Sequence, residues 1–131
     1  MKYLYPAIFK YDKAENVYIV EFPDIKGCYT DGDTLEEAAY NAQDVLSLML
    51  WNMEEVKETV PAATKPENIK VNANSFMSLV TADTAEYKKK YSKKVVKKTL
   101  SIPEWINTLA IENNVNFSGV LQDALKEKLK V

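Results

Sequence analysis

The alternation of apolar and polar positions changes period along the chain, and each change marks a boundary. In residues 17–22, Val17, Ile19 and Glu21 alternate with Tyr18, Val20 and Phe22, a period of two that predicts a strand. A β-branched and aromatic run over residues 3–12 precedes it, and the polar Asp-Lys-Ala-Glu-Asn between them predicts a hairpin turn. Gly27 and Gly32 bracket a short third strand. From residue 33 the period turns helical. Leu35, Ala38, Ala39, Ala42, Val45, Leu46, Met49 and Met53 share one face of a long helix that can cover a sheet. Thr34 and Glu37 have the form of a capping box, with Glu36 and Glu37 where the helix dipole favours acids. Pro61 and Pro66 make the next region a loop, and residues 75–83 read as a fourth strand. Residues 1–84 therefore read as β-β-β-α-β, an α+β domain.

Residues 85–94 are polar and lysine-rich without apolar periodicity, and they read as a linker. Period two returns in residues 96–102. It sends Leu100 and Ile102 to one face of a strand and Lys97, Thr99 and Ser101 to the other. Lys98 shares parity with Leu100 and Ile102 and reaches towards phosphate or solvent. A helix is expected over about 103–114, opening on Pro103, carrying Ile106, Leu109 and Ala110, and closing at Asn113 and Asn114. A second is expected over about 118–130, with Ser118 as N-cap and Val120, Leu121, Ala124, Leu125 and Leu129 as its stripe.

This β-α-α unit, residues 95–131, is too small to bury a core alone. Its single strand leaves a row of unpaired backbone groups. Either the strand joins the N-terminal sheet or it pairs with the same strand of a second chain. The lysine-rich linker and the charge break favour the second. An antiparallel pair would bury Leu100, Ile102, Ile106, Leu109, Leu121 and Leu125 of both chains as a dimer core. It would present Lys97, Thr99 and Ser101 twice on one ribbon. A two-stranded ribbon fits the DNA major groove, where such donors and acceptors read base edges. The start of the second helix, at Ser118 and Gly119, could offer N–H groups to phosphate, with Lys98 as a further phosphate contact.

Composition narrows the chemistry. The chain has 131 residues, one cysteine, no histidine and no arginine. Without histidine, the commonest general base and metal ligand is missing. Cys28 alone can make neither an intrachain disulfide nor, without histidine, a Cys/His zinc site. No metal, cofactor or catalytic residue is expected. The N-terminus lacks a continuous apolar segment and no run is long enough to span a bilayer, so a cytoplasmic protein is expected. Residues 1–87 hold 7 Lys against 15 Asp and Glu, and residues 88–131 hold 10 Lys against 4. That split, −8 against +6, suggests modules for partners of opposite charge: a basic protein and nucleic acid.

The C-terminal pattern resembles the ribbon-helix-helix repressors. The resemblance implies base reading by Lys97, Thr99 and Ser101 and a phosphate contact near Ser118. Arginine is common on such strands, and here lysine, which lacks the fixed fork, replaces it. The stretch from Val20 to Leu46 resembles the N-terminal domain of HicB antitoxins through Phe22-Pro23-Asp24, Gly27-Cys28, Gly32, Thr34 and Glu37-Ala38. It implies a partial RNase H-like domain that occludes HicA, a small basic mRNA-cleaving toxin, joined to a DNA-binding domain that represses its own operon as a dimer. A tetramer through the N-terminal domain follows by analogy only. Candidate toxin contacts are Glu21, Asp24, Asp31 and Asp33, whose other role is ordinary turn formation. Two alternatives remain. One is a metal-dependent nuclease, disfavoured because Ala7, Ile8 and Phe9 occupy the middle of the first strand, where that fold needs a carboxylate. The other is a repressor whose N-terminal domain binds a non-toxin ligand.

Overall fold

The computed structural model describes residues 1–92 and 94–131 and divides the chain into two compact units, residues 1–93 and 94–131. In the first unit, β1 (Lys2–Asp12), β2 (Val17–Glu21), β3 (Tyr29–Gly32) and β4 (Ser75–Asp83) form one antiparallel sheet in the order β3-β2-β1-β4. Helix α1 (Leu35–Glu55) lies across one face. Register explains which residues meet it. Phe9 pairs with Val20 and Phe76, and Tyr5 with Val80, so odd positions of β1 and even positions of β2 and β4 share the helix side. Tyr5, Ala7, Phe9, Val20, Val80 and Ala82 are buried there against Ala38, Ala42, Leu46 and Leu50. Leu35 and Ala39, expected on the apolar face, are exposed instead, and Leu50 completes the stripe.

Local chemistry sets the boundaries. The Asp12 carboxylate accepts the Ala14 N–H at 3.0 Å and Asn16 takes φ 56°, which closes the hairpin turn. Pro6 sits in mid-strand, but β2 pairs with β1 only from Ile8 onward, so its missing donor falls where β1 has one neighbour. Thr34 caps α1, its hydroxyl accepting the Glu37 N–H at 3.1 Å. At the other end Lys57 takes φ 59° and the Glu58 N–H returns to the Met53 carbonyl at 2.9 Å, a left-handed stop. A Cβ on Gly32 would lie 2.4 Å from the Ala38 nitrogen. Only glycine lets β3 run this close to the start of α1.

The expected linker is largely helical. Thr84–Tyr91 forms α2, capped by the Asp83 carboxylate, which accepts the Ala85 N–H at 3.1 Å. Tyr87 lies 5.5 Å from Trp51 of α1 and 4.5 Å from Tyr91, and Lys88 pairs with Glu55 at 3.4 Å. Residue 93, also within that expected linker, lies outside the described residues. Because Lys88, Lys89 and Lys90 of α2, together with Lys93, fall in the first unit, the charge split shrinks. Residues 1–93 hold 11 Lys against 15 Asp and Glu, a net −4, and residues 94–131 hold 6 against 4, a net +2.

The second unit consists of α3 (Glu104–Glu112) and α4 (Phe117–Leu129). Residues 95–102, the expected strand, carry no regular element in the single chain. Asn114 takes φ 54° and the Val115 N–H returns to the Ala110 carbonyl at 3.0 Å, ending α3. The N-cap of α4 is Asn116, not Ser118. Its side-chain oxygen accepts the Gly119 N–H at 3.1 Å. Among the described residues no helix is long and apolar enough to cross a membrane.

Candidate functional site

The face of the sheet turned away from α1 carries Ile8 and Lys10 of β1, Ile19 and Glu21 of β2, and Tyr29 and Asp31 of β3, all of one parity by register. Two shallow depressions open on this side and share Ile19 and Glu21. One is walled by the β2–β3 loop, through Pro23, Lys26 and Gly27. The other is walled by Lys70, Val71 and Asn72 of the segment between α1 and β4. Glu21 is thus the ridge between them. Tyr29, 68% exposed, stands beside it.

The β2–β3 loop is closed by its own backbone hydrogen bonds. The Phe22 N–H reaches the Cys28 carbonyl at 3.0 Å, and the Cys28 N–H reaches Ile25 at 3.2 Å. Phe22, Ile25 and Cys28 anchor it in the core. Gly27 takes φ 77°, a left-handed geometry suited to glycine. Burial pushes the Cys28 thiol up to about 11, so it is not a poised nucleophile.

The four acidic residues expected to contact a partner do not form one cluster. Glu21 and Asp31 share the outer face and are exposed. Asp33 is exposed just before the cap of α1. Asp24 is half-buried: its carboxylate accepts the Thr64 N–H at 2.9 Å and the Thr64 hydroxyl. Lys10 and Lys70 line the same side as Glu21, so the groove itself is mixed in charge. The concentrated acidity lies on α1, which has five Asp and Glu in 21 residues and no basic residue. Sequence reading missed this because it counted charge by segment rather than by element. Among the described residues, no group of three His, Cys, Asp or Glu side chains could hold a metal ion.

At the start of β1, the Tyr3 hydroxyl donates to the Glu54 carboxylate at 2.6 Å, and the buried Thr84 hydroxyl donates to the same oxygen at 2.9 Å. Burial first, then this bond and the charge of Glu54, push Tyr3 up to about 12. The network ties β1, α1 and α2 together.

In the second unit no residue is buried. Leu100 is 63% exposed, Ile102 48%, Ile106 40%, Leu109 51% and Leu125 50%, while Leu121 is half-covered. Lys97, Lys98, Thr99, Ser101 and Ser118 are all exposed. The Gly119 N–H, expected to face phosphate, is occupied by Asn116 in this structure.

A helix-backed antiparallel sheet joined to a small helical unit without buried residues defines a two-part α+β protein. The family model described as HicB-like antitoxin of bacterial toxin–antitoxin systems matches residues 5–124. A chain from a toxin–antitoxin complex of Streptococcus pneumoniae is similar over 98% of this chain and 99% of its own, with 30% identity and a TM-score of 0.65. The Burkholderia pseudomallei antitoxin HicB is similar in fold over 97% of this chain and 98% of its own, at 24% identity and a TM-score of 0.55. An uncharacterised 14.9 kDa protein of Haemophilus phage HP1 is 38% identical over 64 residues, 49% of this chain and 47% of the phage protein. The chain spans less than two thirds of the curated relatives it matches. The protein belongs to the HicB-like antitoxin family.

Proposed function

We propose that this antitoxin neutralises a HicA-type mRNA-cleaving toxin with its first unit, and that its second unit pairs with a second copy to bind operator DNA and repress its own operon. The observation that carries the dimer is the absence of any buried residue in residues 94–131. Covering a large apolar side chain is worth about 1.5–3 kcal/mol, and here Leu100, Ile102, Ile106, Leu109 and Leu125 all stand open. Pairing residues 95–102 of two chains as an antiparallel ribbon satisfies their backbone and covers those side chains at once. The result is a ribbon-helix-helix unit with Lys97, Thr99 and Ser101 on its outer face. Two copies of a +2 unit favour phosphate. In the first unit, the acid-rich α1 supports steering of a basic toxin, and the exposed groove around Glu21 and Asp31 supports contact. A chain of 30% identity comes from a toxin–antitoxin complex. The role is occlusion, on a partial RNase H-like scaffold without catalysis, inside the cytoplasm.

The test is a mobility-shift titration on the operon's own promoter as salt is raised. Affinity should fall steeply with salt. Lys97→Ala with Thr99→Ala should abolish specific binding and leave the sedimenting dimer intact. Unchanged promoter affinity in that double variant would remove these residues from base reading.

A further inference from the structure

We infer that Asp24 is a positioning residue: through Thr64 it fixes the separation of the two walls flanking Glu21, and it does not itself meet the partner. This rests on the reading that the Glu21 face docks the toxin. Both carboxylate oxygens of Asp24 are already engaged, Oδ2 by the Thr64 N–H at 2.9 Å and Oδ1 by the Thr64 hydroxyl. The two residues lie 40 positions apart, so the bond joins two otherwise separate pieces of surface. Asp24 belongs to the self-bonded β2–β3 loop, which is one wall. Thr64 belongs to the strap that leads to Lys70–Asn72, the other wall.

The strap has few other anchors. Val60 packs against the core, the Tyr5 hydroxyl donates to the Pro61 carbonyl, and at the far end the Ser75 N–H reaches the Asn72 carbonyl at 3.0 Å. Ala62, Ala63 and Lys65 are exposed, as are the residues from Lys70 to Asn74. Between Thr64 and the wall, Pro66–Asn68 forms a single 3-10 turn whose bonds, Asn68 N–H to Lys65 carbonyl at 2.9 Å and Ile69 N–H to Pro66 carbonyl at 3.1 Å, stiffen the connection. Thr64 thus lies one short, internally bonded turn from the Lys70–Asn72 wall. Freed from Asp24, residues 62–72 would sample many positions, and a partner would have to order them again on docking.

Thr64→Val removes the hydroxyl bond and keeps both the backbone N–H bond of residue 64 and the Asp24 charge, whereas Asp24→Ala removes both bonds. The full chain is titrated with a catalytically inactive HicA-type toxin, and hydrogen exchange of residues 62–72 is followed in the free protein. If Asp24 positions the strap, Thr64→Val weakens binding by roughly tenfold, the scale of one charge-assisted hydrogen bond, and Asp24→Ala, which removes both bonds, weakens it further. The double variant is then no weaker than Asp24→Ala alone, exchange of residues 62–72 rises in all three, and Thr64→Ser restores wild-type behaviour. A loss of affinity in Asp24→Ala with no rise in exchange of residues 62–72 overturns the inference in favour of direct contact. Glu21→Ala is the control for the underlying reading. If it leaves affinity unchanged, the docking face is elsewhere and this role for Asp24 falls with it. If it weakens binding while Asp24→Ala leaves exchange of residues 62–72 unchanged, the staple alone is wrong.

Discussion

Gly32 shows how much one missing side chain can carry. The Cβ of an alanine there would meet the backbone of Ala38 at 2.4 Å, and backbone cannot rotate aside. Gly32→Ala should destabilise the first unit by about 1–3 kcal/mol or more, read as a lower urea midpoint with an unchanged slope. Tyr3 gives a prediction with a sign. Its hydroxyl is pushed up to about 12 in the fold, against an ordinary value of 10, so the folded state favours the protonated form. That contribution is fully present below pH 10 and is lost as pH rises towards 12. Thermal melts across this window should fall less steeply in Tyr3→Phe than in the wild type. The sequence made Gly27 and Gly32 legible as turn markers, and the structure adds that Gly32 is demanded by the approach of a helix. Asp24 was legible as a loop acid only, because no local period encodes a bond to a residue 40 positions away.

At the scale of elements, the four strands and α1 follow from period and capping, since they bury one face of a regular pattern; α3 and α4 follow from the same period, although the single chain leaves their apolar faces open. Helix α2 escaped because its eight residues have no apolar stripe. Its stability comes from its cap, from the buried Thr84 and from Tyr87 against Trp51. The signal that could have found it is Asp83 followed three residues later by Glu86, the form of a helix start. The cap of α4 is hidden in the sequence for a related reason: Asn116 and Ser118 are both good caps, and only geometry shows that Asn116 meets Gly119. Tyr87→Ala should release α2 from α1. In a Trp105→Phe background, Trp51 emission should shift to the red and helical ellipticity should fall, while the sheet melts near its wild-type temperature. Unaltered emission would mean that the ring contact does not hold the helix.

The whole molecule joins a unit with a core to a unit without one. Calorimetry of the full chain should therefore show two transitions. The one belonging to residues 1–93 should be independent of protein concentration. The one belonging to residues 94–131 should move up with concentration, as expected when folding and association are one step. A single concentration-independent transition would contradict assembly of the second unit from two chains. Charge is also better judged at this scale. The sequence split of −8 and +6 becomes −4 and +2 once α2 is placed with the sheet, so a DNA-binding role must draw on two copies rather than on one strongly basic tail.

The coreless second unit has a further consequence. If its fold is made only by pairing, the amount of protein in the cell becomes a conformational variable. At low abundance the chains are single from Lys94 onward and open to proteases there. At high abundance they are paired and resistant. Half-life would then lengthen as copies accumulate, so a fall in synthesis would be amplified by faster loss of what remains.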